Sequence, residues 1–102
     1  MIVYEVRAVV APEIVDAYRA WLEPHIHEIL AIEGFTHAEL LAEDGDDGRP
    51  VLTVRYHLES RDALERYIRD HAPRLRADGL ARFGGRFETS RRVLELVRRF
   101  PG

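Results

Sequence analysis

Residues 1–10, MIVYEVRAVV, decide the fold because apolar side chains recur at every second position. A repeat of two residues predicts a β-strand, since successive side chains point to opposite faces of a sheet. Residues 50–58, PVLTVRYHL, show the same alternation. Each segment has one wholly apolar face, made of Ile2, Tyr4, Val6, Ala8 and Val10 in the first and of Leu52, Val54, Tyr56 and Leu58 in the second. Both segments are therefore predicted to be central strands.

Helices are predicted between the strands. Pro12 is typical of a first helical position, and the first helix is expected to end at Gly34. Pro24 lies inside this helix and is expected to bend it or split it in two, because proline lacks the N–H that a helix interior requires. Ser60 is a favourable N-cap for a second helical region, which Pro73 interrupts.

Two further strands are predicted over residues 35–42 and roughly 86–98, with a solvated hairpin loop over residues 43–50. The element order is therefore βαββαβ. Because crossover connections are right-handed, this order predicts a ferredoxin-like α+β fold. Both helices lie on one face of a four-stranded antiparallel sheet, and the strand order is 4-1-3-2. We expect residues 1–102 to form a single domain of this kind.

The other face of the predicted sheet mixes aliphatic and charged side chains. Its residues are Val3, Glu5, Arg7, Val9, Phe35, His37, Glu39, Leu41, Val51, Thr53, Arg55 and His57. This mixture is too apolar for a wetted face and too charged for an ordinary core. It favours a face covered by a second copy, which predicts a homodimer in the form of a dimeric α/β barrel. The alternative is a solvent-exposed sheet whose aliphatic side chains are incidental.

The composition excludes several classes of chemistry. The chain has no cysteine, which excludes disulfides, thiol nucleophiles and cysteine-ligated metals. It also has no lysine, asparagine or glutamine, which excludes a Schiff-base lysine and an oxyanion hole built from side-chain amides. No apolar run approaches the ~20 residues that span a bilayer, and no secretory signal pattern is present. A cytoplasmic protein without membrane contact is therefore expected.

Charge is divided unevenly along the chain. Residues 1–50 carry 11 acidic residues and 3 arginines, a net charge of −8, whereas residues 51–102 carry 7 acidic residues and 12 arginines, a net charge of +5. Halves of opposite charge usually face each other within the fold or across a dimer. Nucleic-acid binding is not expected, because the arginines alternate with acidic residues instead of clustering.

Two histidines fall on the apolar stripes of the predicted helices. At 100° per residue, His25 shares a stripe with Tyr18 and Trp21, and His71 shares a stripe with Tyr67. We therefore predict a pocket between helices and sheet that binds a small, largely apolar organic molecule, with His25 as the catalytic proton-transfer group. The predicted ligand-binding residues are Trp21, Tyr18, Tyr56, His71 and Tyr67.

Other interpretations stay open at this point. Each histidine can instead pack in the core with its ring bonded to a backbone carbonyl, as in a non-catalytic regulatory or scaffolding module. A cavity of at least a few hundred Å³ beside His25 favours ligand binding, and a filled core favours the module. No metal site is expected, because His25 and Glu28 have no evident third ligand, and no cofactor is expected. A basic run near the start of the last strand is either solvated or an anchor for a ligand carboxylate or phosphate; it consists of Arg82, Arg86, Arg91 and Arg92.

Several short segments spread over nearly the whole chain resemble a known family. They are MIVYEV (1–6), WL (21–22), HI (25–26), GF (34–35), APRLR (72–76), GLARFG (79–84) and SRRVL (90–94). Together they resemble the short bacterial proteins of domain-of-unknown-function family 4286. That family is similar to the dimeric α/β-barrel superfamily, which includes cofactor-free antibiotic-biosynthesis monooxygenases, polyketide cyclases and small degradative enzymes.

The resemblance implies a homodimer with a pocket beside the sheet. It is compatible with a cofactor-independent monooxygenase, isomerase or cyclase, but it assigns no catalytic residue, because a shared fold does not establish a shared reaction.

Overall fold

A four-stranded antiparallel sheet with helices on one face forms the fold, and the computed structural model describes all 102 residues. In chain order the elements are β1 (Ile2–Val10), a single 3-10 turn (Pro12–Ile14), α1 (Val15–Leu30), β2 (Phe35–Asp44), β3 (Pro50–Leu58), α2 (Arg61–Asp70), α3 (Ala72–Phe83) and β4 (Phe87–Glu95). The strand order is β2-β3-β1-β4. Read from the other edge, this is the predicted order 4-1-3-2, so the ferredoxin-like α+β fold is confirmed.

Proline and serine positions set the helix boundaries. The exposed Pro24 lies within α1, which continues through it and is not split. The Oγ atom of Ser60 accepts a hydrogen bond from the backbone N–H of Ala63 at 3.1 Å, which confirms the predicted N-cap of α2. Pro73 stands in the first turn of α3, so the helical region is interrupted at His71 as predicted. No helix in the structure has the length and apolar content needed to cross a membrane.

The core lies between the helices and one face of the sheet. The alternating apolar residues of the two central strands supply much of it, and Val10 and Leu58 are completely buried. The helices contribute Tyr18 and Leu22 from α1 and Leu75 from α3. The period of two in the sequence therefore places the same side of each central strand against the helices.

The start of β2 contains a β-bulge that changes the predicted facing of one residue. Phe35 pairs with Leu58, but His37 pairs with the adjacent His57, so Thr36 is the extra residue. Phe35 therefore points towards the helices, where its ring packs edge-on against two buried tyrosine rings at centroid distances of 5.0 and 5.8 Å. The prediction that Phe35 lies on the helix-free face is wrong, because one inserted residue reverses the facing of the residues before it.

We use the name open face for the helix-free side of the sheet. It consists of Val3, Glu5, Arg7 and Val9 in β1, His37, Glu39, Leu41 and Glu43 in β2, Val51, Thr53, Arg55 and His57 in β3, and Glu88, Ser90, Arg92 and Leu94 in β4. Glu5 is only 7% exposed and accepts hydrogen bonds from Arg55 and Arg92, one on each neighbouring strand. The hydrogen bond from Arg92 is the main reason that the pKa of Glu5 lies below its ordinary value, although burial opposes this shift.

Arginines of the second half of the chain thus neutralise acids of the first half. Further pairs of this kind are Arg74–Glu28 and Arg86–Glu13. The uneven charge of the two halves is therefore compensated partly within the fold, as the sequence predicts.

Candidate functional site

A cavity of about 70 Å³ lies between the helices and the sheet. Its lining combines aromatic and aliphatic side chains with one histidine and two arginines, and consists of Tyr4, Val6, Ala8, Tyr18, Trp21, Leu22, His25, Ile29, Leu52, Val54, Tyr56, Tyr67, Leu75, Arg76, Gly79, Phe87, Thr89 and Arg91. The structure thus brings together five of the six predicted site residues: Tyr18, Trp21, His25, Tyr56 and Tyr67. His71 is not part of the lining.

His71 lies at the junction of α2 and α3, where its ring is stacked against that of Tyr67 with the ring centroids 6.5 Å apart. Helical periodicity places it on the stripe of Tyr67, but the interruption before Pro73 ends the helix at this residue. His27, two residues after His25, is exposed. His25 is therefore the one histidine that reaches the cavity.

Trp21 and His25 form a stacked pair on one side of the cavity. They lie one turn apart on α1, and their ring centroids are 4.4 Å apart with an interplanar angle of 25°. Gly79 in α3 lets the indole approach closely, since a Cβ atom there would lie 3.2 Å from the Cη2 atom of Trp21. A side chain at position 79 would therefore push against the wall that carries His25.

The imidazole of His25 is held in its neutral form. Burial lowers its pKa below the ordinary value, although the carboxylates of Glu28 and Asp78 oppose this effect. The histidine ring nitrogens that make side-chain hydrogen bonds belong to His37 and His57, so the ring of His25 is not tied to a backbone carbonyl. A neutral imidazole with no partner in the chain can accept a proton from a bound molecule.

Three buried phenols face the same cavity. Burial raises the pKa of Tyr18 and of Tyr67 to about 12, and it also raises the pKa of Tyr56. These hydroxyls stay protonated at neutral pH, and the one tyrosine hydroxyl with a partner in the chain is that of Tyr4. The site therefore combines a proton acceptor with several hydrogen-bond donors in an otherwise apolar space.

Two arginines border the cavity without a carboxylate partner. Arg76 in α3 donates a hydrogen bond to the hydroxyl of Tyr4 at 3.0 Å, and Arg91 in β4 donates one to the hydroxyl of Thr89 at 3.2 Å. Neither takes part in a salt bridge, unlike Arg92 on the opposite side of the same strand. Arg91 belongs to the basic run that the sequence predicts to be either solvated or an anchor, whereas Arg76 is not among the site residues predicted from the sequence.

A second group of functional side chains lies on the open face. His37 and Glu39 are two residues apart on β2, and His57 is the partner of His37 on β3. One ligand atom from each of the three lies within 4.8 Å of the others. The sequence analysis places these residues on one face but does not bring them together, because the pairing of β2 with β3 depends on the bulge at Thr36. The period of two, His-x-Glu on a strand, is the signal that could have found them.

The model of the family described as domain of unknown function DUF4286 matches residues 1–97. Among curated proteins, no sequence matches the chain.

Solved structures with the same fold cover the chain almost completely. An antibiotic biosynthesis monooxygenase is 16% identical with a TM-score of 0.67, over 96% of this chain and 100% of that one. A variant of SnoaB, a cofactor-independent oxygenase from Streptomyces nogalater, is 15% identical with a TM-score of 0.70, over 99% and 98% of the two chains. Rv0793 from Mycobacterium tuberculosis is 26% identical with a TM-score of 0.62, over 97% and 98%. At identities of this size the likeness establishes the fold and leaves the chemistry to the residues.

Proposed function

We propose that this chain, which belongs to the family of domain of unknown function DUF4286, binds a small and largely apolar organic molecule in the cavity between its helices and its sheet. The main support for the proposal is that His25 lines the same cavity as the protonated hydroxyl-bearing side chains of Tyr18, Tyr56 and Tyr67. The ring nitrogens of His25 have no hydrogen-bond partner in the chain and are not buried, so they are accessible to a molecule bound beside them.

Proton transfer is the chemistry that these groups can perform. Neutral His25 accepts a proton from an O–H or an acidic C–H bond of the bound molecule, and a tyrosine hydroxyl donates a hydrogen bond to the oxygen that gains negative charge. An isomerisation, a cyclisation through an enolate and an oxygenation without a cofactor can each begin with such a step. We therefore propose an activity of this class, in keeping with the name of the cofactor-independent oxygenase that shares the fold.

The arginines beside the cavity point to a ligand with an anionic group. Arg76 and Arg91 present guanidinium groups that no acid of the chain neutralises, next to a wall of aromatic rings. A guanidinium binds a carboxylate through two parallel hydrogen bonds. The ligand class that matches this lining is a small aromatic carboxylic acid.

The size of the cavity favours a second candidate, a non-catalytic dimeric module. About 70 Å³ is well below the roughly 300–1,000 Å³ of ordinary ligand sites. An aromatic acid enters only when the stacked, half-buried pair of Trp21 and His25 moves outwards. If that pair is fixed, the cavity is a packing defect and the module is the correct description.

A thermal-shift screen with aromatic carboxylates separates these two functions. We expect benzoate or phenylacetate to raise the Tm of the wild-type protein by about 5 °C at ten times its Kd, since binding to the native state alone stabilises it. The neutral analogue benzyl alcohol should give a smaller shift, and His25→Ala should lose the response. Carboxylate binding should strengthen as the pH falls through the lowered pKa of His25, because the imidazolium that forms adds a positive charge beside the anionic ligand.

His27→Ala is the matched control, because it removes an exposed histidine from the same helix. It should leave both the Tm and its response to ligand unchanged. The binding proposal is rejected in favour of the non-catalytic module under two conditions. No carboxylate changes the Tm of the wild-type protein, and His25→Ala only lowers its stability.

We also propose that the open face is covered by a second copy of the chain. Leu41 on β2 and Leu94 on β4 lie on this face at 39% and 37% exposure, whereas the charged groups between them are already paired within one chain. A flat face with its charges satisfied and its outer leucines uncovered suits the stacking of two sheets about 10 Å apart. The expected assembly is a homodimer.

Light scattering tests the dimer. The wild-type protein should have twice the chain mass of 11.8 kDa at micromolar concentration. The double variant Leu41→Glu with Leu94→Glu should have the mass of one chain, because it places charges in the interface. Leu80→Glu, on the exposed side of α3, is the control that should stay dimeric. A wild-type mass of 11.8 kDa rejects the proposal.

A further inference from the structure

We infer that His37, Glu39 and His57 bind a divalent transition-metal ion such as Zn²⁺ on the open face. This site is separate from the aromatic cavity, and the inference does not rest on ligand binding there. In the proposed homodimer the site lies within the face that the second copy covers. No metal is expected from the sequence because His25 and Glu28 of α1 have no evident third ligand, and in the structure Glu28 pairs with Arg74.

The three side chains converge at distances close to those of a metal site. The Nε2 atom of His57 lies 2.7 Å from Oε1 of Glu39, and the Nε2 atom of His37 lies 3.7 Å from Oε2 of the same carboxylate. Ligand atoms held about 2.0–2.2 Å from a tetrahedral zinc ion are separated from one another by roughly 3.3 Å. The two imidazole rings are stacked with centroids 4.0 Å apart and an interplanar angle of 11°, and an imidazole donates its lone pair in the plane of its ring. To share one ion with His57, the half-exposed ring of His37 therefore has to rotate.

Two contacts of the Thr36 hydroxyl favour one tautomer of His37. The Thr36 hydroxyl donates its only hydrogen to the backbone carbonyl of His57 at 3.2 Å. Its oxygen also lies 2.9 Å from Nδ1 of His37, and with its hydrogen already used it can only accept there. Both contacts are hydrogen bonds at the same time only in the neutral tautomer that carries its hydrogen on Nδ1 of His37, and in that tautomer Nε2 has a free lone pair.

That lone pair and the Glu39 carboxylate face the same space. Two electron-pair donors at 3.7 Å repel each other unless a cation lies between them, either a proton on the ring or a metal ion. The contact of Nδ1 with Thr36 has the form found at metal sites, where the second ring nitrogen of a ligating histidine donates to an oxygen that orients the ring. The bulge at Thr36 is what places this hydroxyl over both histidines.

The donor set selects the class of metal. Two imidazoles and one carboxylate suit Zn²⁺ and its neighbours, whereas Mg²⁺ and Ca²⁺ prefer oxygen ligands alone. His57 is nine-tenths buried and its Nδ1 has no partner, so a metal on its Nε2 leaves a buried N–H unpaired. We therefore expect binding weaker than that of structural zinc sites, with at least one coordination position left to water or a partner group.

Isothermal titration with ZnCl₂ tests the inference on the full chain. We expect saturable binding of one ion per chain, and we expect His37→Ala and Glu39→Gln each to weaken it by roughly 100-fold or more. The positioning residue is tested by Thr36→Val, which should weaken binding by about 10-fold, in the range known for loss of an outer partner. Co²⁺ titrated into the wild-type protein should give visible absorption that these variants reduce.

Two control variants test whether zinc binding is specific to His37, Glu39 and His57. His27→Ala removes an exposed histidine of α1, and Glu43→Gln removes an exposed carboxylate from the same face of β2, so neither should change zinc binding. His37 and Glu39 are both about half exposed, so their variants should fold as the wild type does by circular dichroism. Absence of saturable zinc binding up to millimolar concentration overturns the inference, and so does binding that survives His37→Ala and Glu39→Gln.

Discussion

Gly34→Ala should destabilise the protein by about 3 kcal/mol, which is a large share of the roughly 5–15 kcal/mol that holds a domain of this size together. Gly34 lies between α1 and β2 with φ at +97°, a region that side chains with a Cβ atom rarely adopt. A Cβ atom at this position would also lie 2.5 Å from the Cβ atom of Ala63 in α2. Backbone strain of about 1–2 kcal/mol and overpacking of about 1–3 kcal/mol both contribute.

Backbone strain and overpacking can be separated by a substitution at a glycine where only backbone strain is expected. Gly48 in the β2–β3 hairpin has φ at +82°, but no atom lies within 4 Å of the Cβ that a substitution would add. Gly48→Ala should therefore cost only the backbone strain, about 1 kcal/mol. Urea unfolding followed by far-UV circular dichroism measures both free energies of unfolding.

A double variant tests the steric part directly. Ala63→Gly removes the atom that meets the new Cβ, so Gly34→Ala combined with Ala63→Gly should lose less stability than the sum of the single variants, by about 1–2 kcal/mol. The steric contribution is contradicted if Gly34→Ala and Gly48→Ala lower the free energy of unfolding equally and the effects of Gly34→Ala and Ala63→Gly add up in the double variant. In that case Ala63 of α2 does not oppose a Cβ atom at position 34.

The strand order could be predicted from the sequence because it depends on short-range patterns. The alternation in residues 1–10 and 50–58 identifies the central strands, and the N-cap Ser60 and the break before Pro73 depend on neighbours in the chain. The facing of Phe35 could not be predicted in the same way. It is reversed by a bulge, and a bulge arises from the pairing of two strands and has no marker in either strand alone.

The residues of the candidate site also differ in whether a short-range pattern or a contact between distant segments determines their positions. Tyr18, Trp21 and His25 lie on one stripe of α1, so the helical period brings them together whatever the rest of the chain does. Arg76 and the group of His37 with His57 reach their positions through contacts between distant segments. Their distances depend on the packing of α3 and on the register of β3, which residue spacing does not specify.

Trp21→Ala should destabilise the protein by about 3 kcal/mol and create a site for indole. The ring of Trp21 packs against His25 at 4.4 Å, and against Tyr18 and Phe83 at 5.7 Å each. Its removal takes away these contacts and joins the lost volume to the existing cavity of about 70 Å³. Since apolar cavities enlarged in this way bind aromatic molecules of matching shape, indole should recover several degrees of the lost Tm.

Circular dichroism is the measurement, because the variant lacks the only tryptophan of the chain. Leu80→Ala is the control: Leu80 is 60% exposed on α3, so its removal should cost little stability and give no response to indole. Indole should shift the Tm of the wild type less than that of the variant, because it has to displace the ring of Trp21 and has no carboxylate for Arg76 and Arg91 to bind. A Trp21→Ala variant that is destabilised but gains nothing from indole would mean that α1 and α3 close over the gap. In that case Trp21 packs the core and does not form a movable wall of a binding site.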